Sequence, residues 1–160
     1  PGIPYPVIIM IVVALLFTFA LSKLKLGRYL YAIGSNEEAA RLSGIRTNQV
    51  KNYAYIASGL LSGLAGVILA SRLVTAQPNG GVAYELDAIA SAVVGGTSLM
   101  GGIGTIPGTL IGSFIIGVLR NGLNMNGISA FVQQIIIGLV IIVTVGLDQL
   151  RQSKKNGKKS

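Results

Sequence analysis

The feature that most constrains this chain is a set of long stretches without a single charge. Val7 to Ser22, Asn52 to Ser71, Ala88 to Leu119 and Asn121 to Leu147 contain no Asp, Glu, Lys or Arg. A lipid hydrocarbon core roughly 30 Å thick is crossed by about 20 apolar residues of helix. These runs approach or exceed that length. Inside lipid every backbone N–H and C=O must be paired within its own segment, so runs of this kind read as helices. The expected fold class is all-α, a polytopic transmembrane helix bundle. Composition agrees: 11% of residues are charged, against about a quarter in ordinary soluble domains.

The pattern predicts about five spans, near 6–24, 53–71, 85–98, 107–120 and 131–147. The run from Ala88 to Leu119 is too long for one span. Gly95, Gly96, Gly101, Gly102, Gly104, Pro107 and Gly108 interrupt its middle, and glycine and proline punctuate structure. Pro107 suits a first helical turn, where its missing N–H leaves nothing unpaired. The element at 85–98 is short for a crossing, and a half-helix that turns back is the alternative.

Charge bears on that choice. With five crossings, the loop at 23–52 and the tail share one side. That side holds Lys23, Lys25, Arg28, Arg41, Arg46, Lys51, Arg151, Lys154, Lys155, Lys158 and Lys159. The other holds Arg72 and Arg120, which read as snorkelling to headgroups. Cytoplasmic loops carry the excess of Lys and Arg, so the loop and the C-terminus are expected to be cytoplasmic and five crossings are favoured. The organisation is then a membrane segment, 1–150, and a basic tail, 151–160, expected to lie disordered against anionic lipid. The net charge of +8 belongs to membrane topology and not to nucleic acid, because the cations sit between apolar runs.

The chain has no cysteine and no histidine, which removes disulfides, thiol chemistry and the usual zinc sites. It starts at Pro1 without a positively charged leader before the first apolar run, so it reads as a segment of a longer protein and not as a signal peptide.

Helices in lipid pack through small residues. Gly59 with Gly63, and Gly108 with Gly112, form Gly-x-x-x-Gly pairs that suit close helix packing. The cytoplasmic loop has structure of its own. Ser35-Asn36-Glu37-Glu38 fits a capping box, with the Ser35 hydroxyl accepting from the Glu38 N–H. Ala39, Ala40, Arg41 and Leu42 are good helix formers, Gly44 suits a left-handed stop, and Thr47 or Asn48 can cap the next helix. A helix of about two turns across the membrane face follows. Small Ala39 and Ala40, apolar Leu42 and Ile45, and charged Arg41 suit docking to a partner; an ordinary amphipathic helix on headgroups is the bland reading.

Glu38-Ala39-Ala40 followed by Gly44 resembles the EAA-x-x-x-G loop of ABC-importer permeases. The run Gly27 to Gly34, then Asn36, Ala76-Gln77-Pro78, Tyr84 to Ala90, Gly95-Gly96-Thr97-Ser98 and Gly108 to Gly112 are similar to the ribose-type branch of the sugar permeases. The resemblance runs from Gly2 to Asp148 and implies the C-terminal half of such a permease in a bacterial inner membrane. It implies three partners: a cytoplasmic ABC ATPase, a second permease subunit completing a homodimer, and a periplasmic or lipid-anchored sugar-binding protein. Glu38, Ala39, Ala40, Arg41, Leu42, Gly44 and Ile45 then form the ATPase-coupling helix, within a coupling loop at 25–52. It does not decide which sugar is carried; ribose is the best match.

The chain itself offers no ATP site. No Gly-x-x-x-x-Gly-Lys-Ser/Thr stretch occurs, and the glycines at 95–102 lack the lysine and lie in an apolar region. No cofactor is expected on this chain, and ATP belongs to a partner. Glu85 and Asp87 have no companion base or metal and are not a catalytic pair. They suit the dipole at a helix N-terminus, and with Gln77, Asn79, Tyr84 and Asn124 they suit an outer mouth. An ion-coupled secondary carrier would place ionisable groups at mid-span, and no predicted span has one. A passive membrane anchor has no need of the ordered loop at 35–46.

Overall fold

The computed structural model describes residues 2–75 and 78–156, and among them no strand occurs. Gln77, expected at an outer mouth, and the last four residues of the basic tail lie outside the described residues; the first six tail residues, 151–156, expected to be disordered, continue the last helix. Seven helices follow one another: α1 (Tyr5–Lys23), α2 (Lys25–Ser35), α3 (Glu37–Leu42), α4 (Thr47–Leu73), α5 (Tyr84–Val94), α6 (Ile106–Met125) and α7 (Ala130–Asn156). They fall into two compact units, one ending at Val82 and one beginning at Ala83. The all-helical expectation holds.

Four helices are long and apolar enough to cross a membrane: Tyr5–Lys23, Thr47–Leu73, Ile106–Met125 and the Ala130–Leu150 part of α7. The expected fifth span is not a long helix. α5 has 11 residues, about 16 Å at 1.5 Å per residue, roughly half of a hydrocarbon core. Its end is chemically defined. Gly96 takes φ +92°, and the N–H groups of Gly96 and Thr97 donate to the carbonyls of Val93 (2.9 Å) and Ala92 (2.9 Å). That is a Schellman stop, in which a left-handed residue redirects the chain and satisfies the last carbonyls. Residues 95–105 then run without helix. Any crossing made by α5 is completed by irregular backbone, which membranes tolerate only under protein cover.

In the first unit, α1 ends at Lys23 and the chain breaks at Leu24 (φ −81°, ψ 150°) before α2 begins. Gly27 lies against the backbone of Leu21, where a Cβ would overlap main-chain atoms. α2 also packs on α3 and α4. α4 has no buried residue across its membrane window.

In the second unit, α5, α6 and α7 pack on one another around Ala90, Ile116 and Ile137, with Val94, Val140 and Ile141 against them. Thr105 caps α6, its Oγ1 accepting from the Gly108 N–H at 3.2 Å, and Pro107 falls in the first turn. The α5–α6 contact is backbone on backbone. A Cβ on Gly108 would strike the Gly95 carbonyl, and one on Gly112 would strike the Ser91 carbonyl oxygen. The other glycine pair behaves differently: a Cβ at Gly59 or Gly63 meets nothing within 4 Å, so this pair packs no helix within the first unit.

Candidate functional site

The loop between α1 and α4 folds as two helices, not one. α2 continues through Ser35, so Ser35 cannot cap the next helix as the sequence suggested. Asn36 does so instead, with extended φ −157° and ψ 104°, and its Oδ1 accepts from the Ala39 N–H at 3.0 Å. This moves Glu37 and Glu38 into the first turn of α3, where carboxylates oppose the helix dipole. The helix has six residues, about 1.7 turns, close to the helix of about two turns that the sequence suggested.

Its stop is a second Schellman motif. Gly44 (φ +86°) donates to the Arg41 carbonyl at 3.0 Å, and Ile45 donates to the Ala40 carbonyl at 3.1 Å. A side chain at position 44 would be strained in this left-handed conformation. The next helix starts at Thr47 without a side-chain cap. Thr47 is buried and lies within the turn it was expected to cap; Asn48 is exposed.

Packing sorts the loop residues by direction. Ala40 is 5% exposed and Leu42 is 81% exposed. Ala40 therefore seats α3 in its own unit and does not offer a surface to another molecule. Leu42, with Glu38, Ala39, Arg41 and Gly44, is presented outward, and Ile45 is half-buried. The Lys51 ammonium holds the Glu37 carboxylate at 2.5 Å and links α3 to α4. Both side chains are about half exposed, and such a pair contributes well under ~1 kcal/mol. Beside it lies an open cleft of about 450 Å³ lined by Glu37, Glu38, Arg41, Thr47 and Asn48. The arrangement is a small, polar-rimmed knob with one protruding leucine.

The second unit gathers a polar line across three helices. Arg120 on α6 does not snorkel away as the sequence reading had it. Its guanidinium donates to Asp87 Oδ1 on α5 at 2.7 Å. One turn further along α6, Asn124 Oδ1 accepts from Gln133 Nε2 on α7 at 2.7 Å. Gln133 is 4% exposed and donates also to the Ile128 carbonyl at 2.8 Å. Tyr84 and Glu85 are exposed beside Asp87 on α5. Of the residues expected at an outer mouth, the structure brings together Asp87 and Asn124 at one end of this unit. Asn79 lies in a turn of the first unit, its carbonyl accepting from Val82. Gln133 was missed. The one signal for it is a glutamine pair, Gln133-Gln134, at the start of an otherwise apolar span. Among the described residues no cluster of acids suited to a metal occurs.

A family model described as a branched-chain amino acid transport system / permease component matches residues 2–145. The ribose import permease protein RbsC of Haemophilus influenzae is 53% identical over 154 residues, 96% of this chain and 48% of that protein. RbsC of Escherichia coli K12 is 52% identical over 151 residues, 94% of this chain and 47% of its own length. RbsC of Bacillus subtilis is 53% identical over 152 residues, 95% and 47% respectively. The L-arabinose permease protein AraH of E. coli K12 is 40% identical over 154 residues. No solved structure matches. The chain spans about half the length of the curated relatives it matches. With the family model matched over residues 2–145, most of the chain, the chain belongs to the permease components of the branched-chain amino acid transport system family.

Proposed function

We propose that the chain is a membrane-embedded part of the permease subunit of an ATP-driven ABC importer for a sugar, with ribose as the solute. The observation that carries this is identity above 50% to ribose import permeases across nearly the whole chain. The family's description mentions branched-chain amino acids, but identity falls from ribose permeases at 53% to xylose and L-arabinose permeases at 42% and 40%, an ordering among sugars. Solute, ATPase, binding protein and second permease copy are all part of the proposal. So are a bacterial plasma membrane location and a cytoplasmic loop and C-terminus.

In this reading α3 is the coupling helix. It follows a membrane-spanning helix by way of α2 and leads directly into another, so a force on α3 reaches α4 through Gly44 to Arg46 and the Glu37–Lys51 pair. ATP is bound by the partner ATPase, and no cofactor is held by this chain. Asp87, Asn124, Tyr84 and Glu85 lie toward the outer face in the same topology, with Asn79 and Gln77 in the segment that precedes them.

The test uses the full-length permease with its ATPase and binding protein. Leu42→Cys should crosslink to the ATPase in a manner that changes with ATP, and Leu42→Glu should lower ribose uptake at least about tenfold while membrane insertion stays normal, since it sets a charge on the apolar anchor of a contact. Uptake unaltered in Leu42→Glu, together with no crosslink, would remove the coupling assignment. Ala40→Glu is a poorer probe, because it buries a carboxylate and destabilises the loop whatever docks there. A second expectation concerns topology. An epitope placed after Ser160 should be reached only from the cytoplasm; labelling from outside would show an even number of crossings after the α2–α3 loop to be wrong.

A further inference from the structure

We infer that the exposed face of α2 is a binding surface for anionic phospholipid headgroups. α1 is 19 residues long and spans about 28 Å, so its last residue, Lys23, reaches headgroup depth. The chain turns at Leu24, and α2 starts there. On a helical wheel Lys25, Arg28 and Ser35 share one arc of α2, Leu26, Leu30 and Ile33 share another, and Tyr29 stands at the border between them. Contacts fix which arc faces outward. Leu26 and Leu30 line an apolar cleft of about 500 Å³ with Tyr53 of α4, and Gly27 is pressed on Leu21. Lys23, Lys25 and Arg28 are exposed, and among the described residues none of the three has a carboxylate within ion-pair distance. The carboxylate nearest in sequence, Glu37, is held by Lys51.

Three cations within six residues, without an ion pair among the described residues and placed by the length of α1 at headgroup depth, match an anionic bilayer surface. Tyr29, 39% exposed at the border of that arc and lining a cleft with Leu26, Ile45 and Tyr53, suits the boundary between tails and headgroups. A protein partner with an acidic patch is the competing occupant. It is disfavoured because the cations flank the end of a membrane-spanning helix, where lipid is the nearest neighbour. Only the residue Asn36 separates α2 from α3, so the lipid contact also fixes where α3 is displayed. The lipid surface itself does not depend on the transport reading.

The experiment uses the full-length permease with its ATPase in lipid nanodiscs and Tyr29→Trp as reporter; this chain has no tryptophan. Signals from other tryptophans are subtracted with the protein lacking the substitution. Brominated phosphatidylglycerol should quench the reporter at least about twofold more than brominated phosphatidylcholine at equal content, each cation adding an increment of attraction. The preference should fade at about 1 M salt, where screening is short-ranged. Lys23→Gln/Lys25→Gln/Arg28→Gln should abolish it, and Lys23→Arg/Lys25→Arg/Arg28→Lys should keep it. Equal quenching by the two lipids overturns the inference. So does a glutamine variant that keeps its lipid preference but releases the ATPase on gel filtration, which would make the face a protein-docking surface.

Discussion

Gly112→Ala is expected to destabilise the permease by about 3 kcal/mol, and Gly112→Leu to prevent its accumulation in the membrane. Overpacking commonly costs about 1–3 kcal/mol when side chains can move aside. Here they cannot. A Cβ at position 112 would overlap the Ser91 carbonyl oxygen and lie 2.7 Å from the Gly95 amide nitrogen, both main-chain atoms of α5. No rotamer change relieves a clash with backbone, so α5 must move away from α6. That movement also opens the reciprocal contact of Gly95 with Gly108 and uncovers Ala90 and Ile116. Gly117 provides the comparison on the same helix, since a Cβ there meets nothing within 4 Å. Gly117→Ala should be neutral or stabilising by up to about 1 kcal/mol from helix propensity. Thermal unfolding of the full-length permease in detergent reads both. Equal midpoints for the Gly112→Ala and Gly117→Ala variants would refute the close packing of α5 on α6.

This comparison also marks what a sequence can disclose. Gly59-x-x-x-Gly63 and Gly108-x-x-x-Gly112 have the same spacing, yet only the second meets a neighbouring backbone in its unit. Spacing states that a close approach is allowed, and the partner's position decides whether it happens. The long helices were legible because a run of some 20 uncharged residues has few other fates. α5 was legible as an element but not in length, since apolar composition continues through Gly95 to Leu99 while the left-handed Gly96 stops the helix. The cap of α3 was misplaced by one residue because Ser35 and Asn36 are equally good caps; the end of α2 decides between them. The inward direction of Ala40 comes from packing on neighbouring helices, which no seven-residue motif encodes. Arg120 and Asp87 lie 33 residues apart, beyond any local periodicity, and each alone resembled a membrane-surface charge.

That pair gives the second large effect. Asp87→Asn or Arg120→Gln alone should lower the stability of the full-length permease by about 3 kcal/mol, near the lower end of what breaking a buried pair costs. The lower end applies because the Arg120 and Asp87 side chains remain 28% and 21% exposed. The loss arises mainly from the partner left behind. Arg120 Nε is already buried without a hydrogen-bond partner among the described residues, so its charge depends on the terminal nitrogen that meets Asp87. With that carboxylate gone, a guanidinium remains between α5 and α6 with nothing to compensate it, and a charge within apolar helices is costly. Removing both charges should therefore be milder than removing one. Asp87→Leu/Arg120→Leu is expected to recover more than half of the single-variant loss, because two apolar side chains suit the same interface. A full double-mutant cycle, read by thermal unfolding, isolates the coupling. Single variants whose losses simply add would mean that the two groups do not sense each other and that the pair contributes nothing to the α5–α6 hairpin.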